Sequence, residues 1–165
     1  MLASVQSLGL SGIEGYLVSV EAFTADGLPM FEVVGLPDAA VKESRERVRA
    51  AMASCALSFP VARLTVNLAP ADVRKEGPAY DLPIARAILC ACGRVPAWRL
   101  AETAAGGDLS LSGELMPVRG ALSMAIAAKE RGLSALSLPA HNAREAACVE
   151  GLRVLPAGSL QEVVD

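Results

Sequence analysis

The chain has 165 residues, a formal charge of −3 from 15 basic and 18 acidic side chains, and only 4% aromatic residues. That length supports one domain with its own core, since a chain of this size buries roughly 70% of its unfolded surface without a disulfide staple. Its apolar residues come in short runs broken by charge, with no stretch of ~18 to span a membrane, and Met1-Leu2-Ala3-Ser4 lacks the basic flank and apolar run of a signal peptide, so a cytoplasmic setting without a membrane partner is expected.

Taken in chain order, residues 4–10 read as a strand. Residues 18–25 alternate with period two, Asp26-Gly27-Leu28-Pro29 supplies a turn, and residues 31–36 continue as a strand, so the last two are expected to pair as a hairpin. Pro37-Asp38 opens a helix running to Ala56, with Asp38 as N-cap and Val41, Val48, Met52 and Cys55 on one stripe. Residues 63–68 are rich in β-formers and are stopped by Pro70. Residues 71–80 form a loop by composition. Asp81 then caps an apolar helix through Cys92, ended by Gly93 and buried on most of its circumference.

Residues 103–118 read as a hairpin with Gly106-Gly107 and Ser112-Gly113 at its turns, followed by a helix over 120–131 that Gly132 stops. The last third echoes itself: Leu136-Ser137-Leu138-Pro139-Ala140 and Arg153-Val154-Leu155-Pro156-Ala157 each lead from a strand into a helix, with the prolines 17 residues apart. Strand and helix in alternation imply parallel pairing. A final helix from Ser159 meets no stop signal before Asp165, so the chain reads as truncated.

Cys90 and Cys92 lie roughly 200° apart around a helix, which bars them from chelating one ion. They are expected to pack in the core as small hydrophobes. Trp98 is expected to plug the core, and the single histidine, His141, to sit at the surface.

Several motifs together carry a resemblance. They are Gly27-Leu28-Pro29, Val34-Gly35-Leu36-Pro37-Asp38-Ala39-Ala40-Val41-Lys42-Glu43-Ser44, Thr65-Val66-Asn67-Leu68-Ala69-Pro70-Ala71-Asp72, Lys75-Glu76-Gly77 with Asp81-Leu82-Pro83-Ile84-Ala85, Leu111-Ser112-Gly113-Glu114-Leu115, and Pro117-Val118-Arg119-Gly120-Ala121-Leu122. With Leu138-Pro139-Ala140 they cover essentially the whole chain. They resemble the N-terminal Lon-like domain of the magnesium-chelatase-like AAA+ ATPases of the ComM and YifB type.

The resemblance implies a single domain over residues 1–165, an α/β (α+β) two-layer sandwich with a mixed sheet, folded like the Lon protease domain and some ribosomal proteins. It implies a parent whose AAA+ module, absent from this chain, binds ATP and Mg and forms a ring, a hexamer by analogy, that processes DNA as a branch-migration helicase in natural transformation. The partners implied are that module, neighbouring ring subunits and, as an alternative, DNA. No cofactor or metal is expected in the chain itself.

The likeness to Lon does not extend to its chemistry. The run matching Lon's nucleophilic serine is Lys75-Glu76-Gly77-Pro78-Ala79-Tyr80-Asp81, with Ala79 at the serine position, and Leu122 stands where the general-base lysine would be. A Ser-Lys dyad needs a hydroxyl and an amine within hydrogen-bond reach, and neither residue type is there. No Gly-x-Ser-x-Gly elbow and no phosphate-binding Gly-x-x-x-x-Gly-Lys-Ser/Thr is present. Asp72, Glu76 and Asp81 are interleaved with Arg74 and Lys75 and read as loop and cap groups, not metal ligands.

What remains is basic surface. Residues 42–49 carry Lys42, Arg45, Arg47 and Arg49 against two glutamates. Glu43 to Arg47 is a favourable i,i+4 pair, so a solvated face is the simplest reading. The other is contact with phosphates or an acidic neighbouring subunit, joined by Arg63, Arg74, Lys75 and Arg119. Two further functions stay open beside a silent organising domain: a DNA-binding module in its own right, and a peptidase with an unrecognised nucleophile.

Overall fold

A computed structural model describes residues 1–164. Along the chain lie strands β1 (Leu2–Ser11), β2 (Glu14–Ala25) and β3 (Met30–Val34), helices α1 (Ala39–Lys42) and α2 (Ser44–Ser54), strand β4 (Arg63–Ala69) and helix α3 (Asp81–Ala91). Short strands β5 (Thr103–Ala105), β6 (Asp108–Leu109) and β7 (Leu115–Met116) follow, then α4 (Ala121–Glu130), β8 (Ala135–Pro139), α5 (Ala143–Ala146), β9 (Arg153–Ala157) and α6 (Leu160–Val164). The helix expected from Ser159 is thus described to Val164, and its expected last residue, Asp165, lies outside the described residues.

Seven strands form one mixed sheet in the order β3-β4-β2-β1-β5-β8-β9. β1 and β2 pair antiparallel from Leu2↔Phe23 to Ser11↔Glu14, β4 runs antiparallel to β2, and every other pair in the sheet is parallel. The parallel β8–β9 pairing implied by the internal echo is therefore present, and the expected α/β class with a mixed sheet is the one observed.

Side chains alternate across a strand, so Val5 and Leu8, an odd number of residues apart on β1, face opposite sides. Val5, Val18, Val20, Leu64, Val66 and Leu68 meet α2 and α3 in the larger core cluster, while Leu8, Ala104, Leu136 and Leu138 meet α4 and α5 in a second. α3 is buried at every position except Cys90, which is half-buried, as its apolar composition requires.

Several expectations are corrected. β2 and β3 do not form a hairpin: β2 is bonded to β1 on one side and to β4 on the other, which leaves β3 to pair with the far side of β4. The hairpin is β1–β2, turned at Gly12 (φ 65°). The helix over 38–56 is two helices separated at Glu43, although Asp38 does cap the first, its Oδ1 accepting from the Val41 amide at 2.8 Å. The hairpin over 103–118 shrinks to β6–β7, because β5 is taken into the main sheet between β1 and β8.

Asp81 is not a helix cap. It is the first residue of α3, Pro83 two residues on has no amide hydrogen to offer a cap, and the carboxylate makes tertiary bonds instead. Cys92 is exposed where α3 ends and Trp98 is 76% exposed on a 3-10 turn, Ala97–Leu100, whose Leu100 faces inward instead. Neither is the core residue expected. His141 is exposed, as expected. Among the described residues no helix is long and apolar enough to cross a membrane.

Candidate functional site

Ligand clefts of α/β sheets open beyond the carboxyl ends of their parallel strands. Here that end holds the close of β1, the loop after β3 and the loop after β4. The chain over 70–77 is stapled to the loop after β3: the amide of Lys75 donates to the carbonyl of Leu36, and that of Asp38 to the carbonyl of Lys75, each at 2.9 Å. Asp38 closes the staple from its side chain, Oδ2 accepting from the Gly77 amide at 3.2 Å while Oδ1 caps α1.

These segments border a cleft of about 540 Å³ whose lining includes Gly9, Asp38, Glu76, Ala79, Tyr80 and Arg119. Ala79 is held by its carbonyl, which accepts from the Gly107 amide at 2.9 Å. Leu122 is exposed in the first turn of α4 and is not among the lining residues, although Arg119 and Met124, on either side of it in sequence, are. The hydroxyl in the cleft is that of Tyr80, which burial and then neighbouring Tyr16 push well above the ordinary range for a phenol. It stays protonated at neutral pH and is a poor nucleophile.

The basic residues singled out from the sequence do not form one patch. Lys75 is fully buried, and its ammonium donates to the carbonyls of Gly35 and Pro70. Burial lowers its pKa, with Asp72 opposing the shift. Arg47 is turned inward onto Asp81, its Nε 2.6 Å from Oδ2, and onto the carbonyl of Ala40 at 2.7 Å. Arg74 pairs with Glu76 at 3.6 Å in full solvent.

Lys42 and Arg49 are exposed on the α1–α2 surface. Arg45 lies between them, donating to the carbonyl of Lys42 at 3.2 Å, and Arg49 stacks over Phe59 at 4.5 Å. Arg63 is exposed on β4, away from the cleft, where its stem lies against Gly27. Arg119 alone of the group is both exposed and in the cleft.

Sequence reasoning missed the buried cluster beneath the α1–α2 surface. Asp81 accepts from Ser44 Oγ at 2.5 Å, from Arg47, and from the Leu109 amide at 3.0 Å, and Asp108 lies 3.8 Å from Arg47. The residue types were visible; their approach across 28 or more residues was not.

A family model described as subunit ChlI of Mg-chelatase matches residues 20–142. An uncharacterized protein of Mycobacterium tuberculosis is 47% identical over 148 residues, 90% of this chain and 29% of that protein. Competence protein ComM of Haemophilus influenzae is 39% identical over 163 residues, 99% of this chain and 32% of its own length. Lon protease 3 of Sorangium cellulosum is 26% identical over 147 residues, 86% of this chain and 18% of its own. The chain thus spans about a third of the length of these first two curated relatives.

Proposed function

The chain belongs to the Mg-chelatase-like family of ComM and YifB, and from that premise we propose that it is a catalytically silent Lon-like domain that organises subunit assembly of a DNA-processing AAA+ motor in the cytoplasm. One observation carries the silence: among the described residues lining the cleft there is no Ser, Thr, Cys, Lys or His, and Ala79 occupies the position matching the Lon serine. A cleft with carboxylates at Asp38 and Glu76 and a guanidinium at Arg119 can hold a peptide segment, but it lacks the hydroxyl and amine of a Ser-Lys dyad to attack one.

In this reading ATP and Mg belong to the motor module of the parent protein, and the domain contributes contacts between neighbouring subunits of a ring, a hexamer. A fluorophosphonate probe and a set of fluorogenic peptides test the silence. No labelling and no hydrolysis are expected, and labelling of any serine would establish a peptidase instead. Ring formation by the parent, lost when this domain is deleted, is the expected sign of the organising role.

A second reading is favoured by Lys42, Arg45 and Arg49, which lie on one surface with Glu32, 3.9 Å from Arg45, as the partner carboxylate there. A surface of this kind can meet phosphates. If the domain binds DNA by itself, binding weakens with salt, and Arg45→Glu combined with Arg49→Glu weakens it further. DNA affinity unaffected by that pair of reversals removes this reading.

A further inference from the structure

α3 covers the centre of the sheet but not the strands beyond it. Towards β8 and β9 the same face is flanked by the 3-10 turn that carries Trp98 and by α6, and a cavity of about 440 Å³ remains. Arg86 of α3 reaches it from within the core side of the helix, and Ser137 of β8 reaches it from the sheet; the two are 8% and 5% exposed.

Neither the Arg86 guanidinium nor the Ser137 hydroxyl has a hydrogen-bond or ion-pair partner among the described residues. A guanidinium that meets solvent only through a cavity and has no counter-charge is poorly compensated for its desolvation. Burial, and then the nearby charge of Arg99, lower its pKa to about 10, which leaves it cationic at neutral pH.

The surroundings deepen the positive field. Arg99 and Arg153 are exposed at the cavity's rim, the first also donating to the carbonyl of Val164 at 3.4 Å. Among the described residues one carboxylate, Glu162, is also in the lining, where it accepts from the Gly158 amide at 2.7 Å. The Trp98 indole stands exposed at the same mouth.

We propose that this cavity is a binding site for the phosphate group of a nucleotide, with Arg86 and Ser137 as donors at its floor and Trp98 as a platform for the base. The Arg86 and Arg153 guanidiniums and the Ser137 hydroxyl match a tetrahedral anion with several acceptor oxygens better than a single carboxylate. A flat exposed ring beside them suits a nucleobase, since stacking is available to every base. The volume lies within the roughly 300–1,000 Å³ of small-molecule sites. No residue is shared with the cleft that contains Ala79, so this site stands or falls apart from the proposed silence of that cleft.

The sole tryptophan of the chain is the one at the rim, so its fluorescence reports occupancy directly. The chain is titrated with inorganic phosphate, thymidine monophosphate and a short oligothymidylate while Trp98 emission and the thermal midpoint are recorded. Phosphate is expected to raise the midpoint by several degrees at saturation, and the monophosphate to bind more tightly and quench Trp98. A strand that binds more tightly than the monophosphate marks single-stranded nucleic acid as the source of the phosphate; equal affinity marks a free nucleotide.

Arg86→Met should weaken all three ligands by about 10- to 100-fold, yet melt no lower than the parent chain in phosphate-free buffer, because it removes an unpaired charge. Trp98→Ala should keep the phosphate-induced rise in midpoint and lose the advantage of the nucleotide. A midpoint indifferent to all three ligands, an Arg86→Met chain that responds like the parent, or an acidic peptide that raises the midpoint where phosphate does not would each overturn the proposal.

Discussion

Asp81 has no exposed surface, and its two oxygens accept from Ser44, Arg47 and the Leu109 amide, tying α2 and β6 to the start of α3. Removing the charge leaves the Arg47 guanidinium half-satisfied in a poorly solvated place. Asp81→Asn is expected to cost about 3–5 kcal/mol in urea unfolding. From the sequence this aspartate reads as a cap, because an acidic residue before an apolar run is the usual cap signal; the arginine that claims it lies 34 residues earlier and no local pattern announces the pairing.

Asp108 beside it is raised from 3.8 to about 6, first by burial, then by its hydrogen bond to Asp81 and that residue's charge, with Arg47 opposing. The folded chain therefore keeps a proton there that the unfolded chain releases near 3.8, so this stabilisation is complete below 3.8 and is lost as pH rises to about 6. Asp108→Asn should flatten that part of the stability profile, measured by urea midpoints at a series of pH values. An unchanged slope would mean that the proton is held elsewhere.

Among elements, strand and helix positions were largely legible while partners were not. Residues 63–68 read as a strand and the structure has Arg63–Ala69; residues 153–157 coincide with β9. Periodicity of apolar side chains sets such segments, but the choice of β4 over β3 as neighbour of β2 depends on which edge is free when the long β1–β2 hairpin has formed, and that is a property of the assembled sheet. The cleft was legible as a motif with its nucleophile missing; the Arg86 cavity was not, since an arginine in a helix gives no sign of whether it faces water.

Gly35 shows what the loop after β3 demands. Its φ is 105°, and a Cβ there would meet the carbonyl oxygen of Leu68 on β4. Gly35→Ala should therefore destabilise by about 1–3 kcal/mol and loosen the staple that shapes the cleft. Circular dichroism melting measures the first effect. Limited proteolysis within residues 70–77 measures the second, and protection equal to that of the parent would separate the glycine from the staple.

For the whole molecule, the two core clusters are built on opposite faces of shared strands, with Val5 in one and Leu8 in the other on β1. Neither can open without exposing the back of the other, so the chain should unfold in one step. Ile88→Ala in the larger cluster and Met124→Ala in the smaller should each cost about 2–5 kcal/mol, and in both variants the Trp98 emission and far-ultraviolet transitions should coincide. Separated transitions would show that the faces are independent.

The sheet's last strand, β9, carries Pro156 opposite Leu138, a residue with no amide hydrogen to offer. At the far boundary, β3 is five residues long and presents Glu32 to solvent. Both margins are thus poor templates for accretion of another chain's backbone, the route by which open sheets stick together and fibrils grow. Copies of this molecule that come together must therefore recognise each other through side chains, so that their association is open to tuning, and to disruption, by changes of charge at single positions.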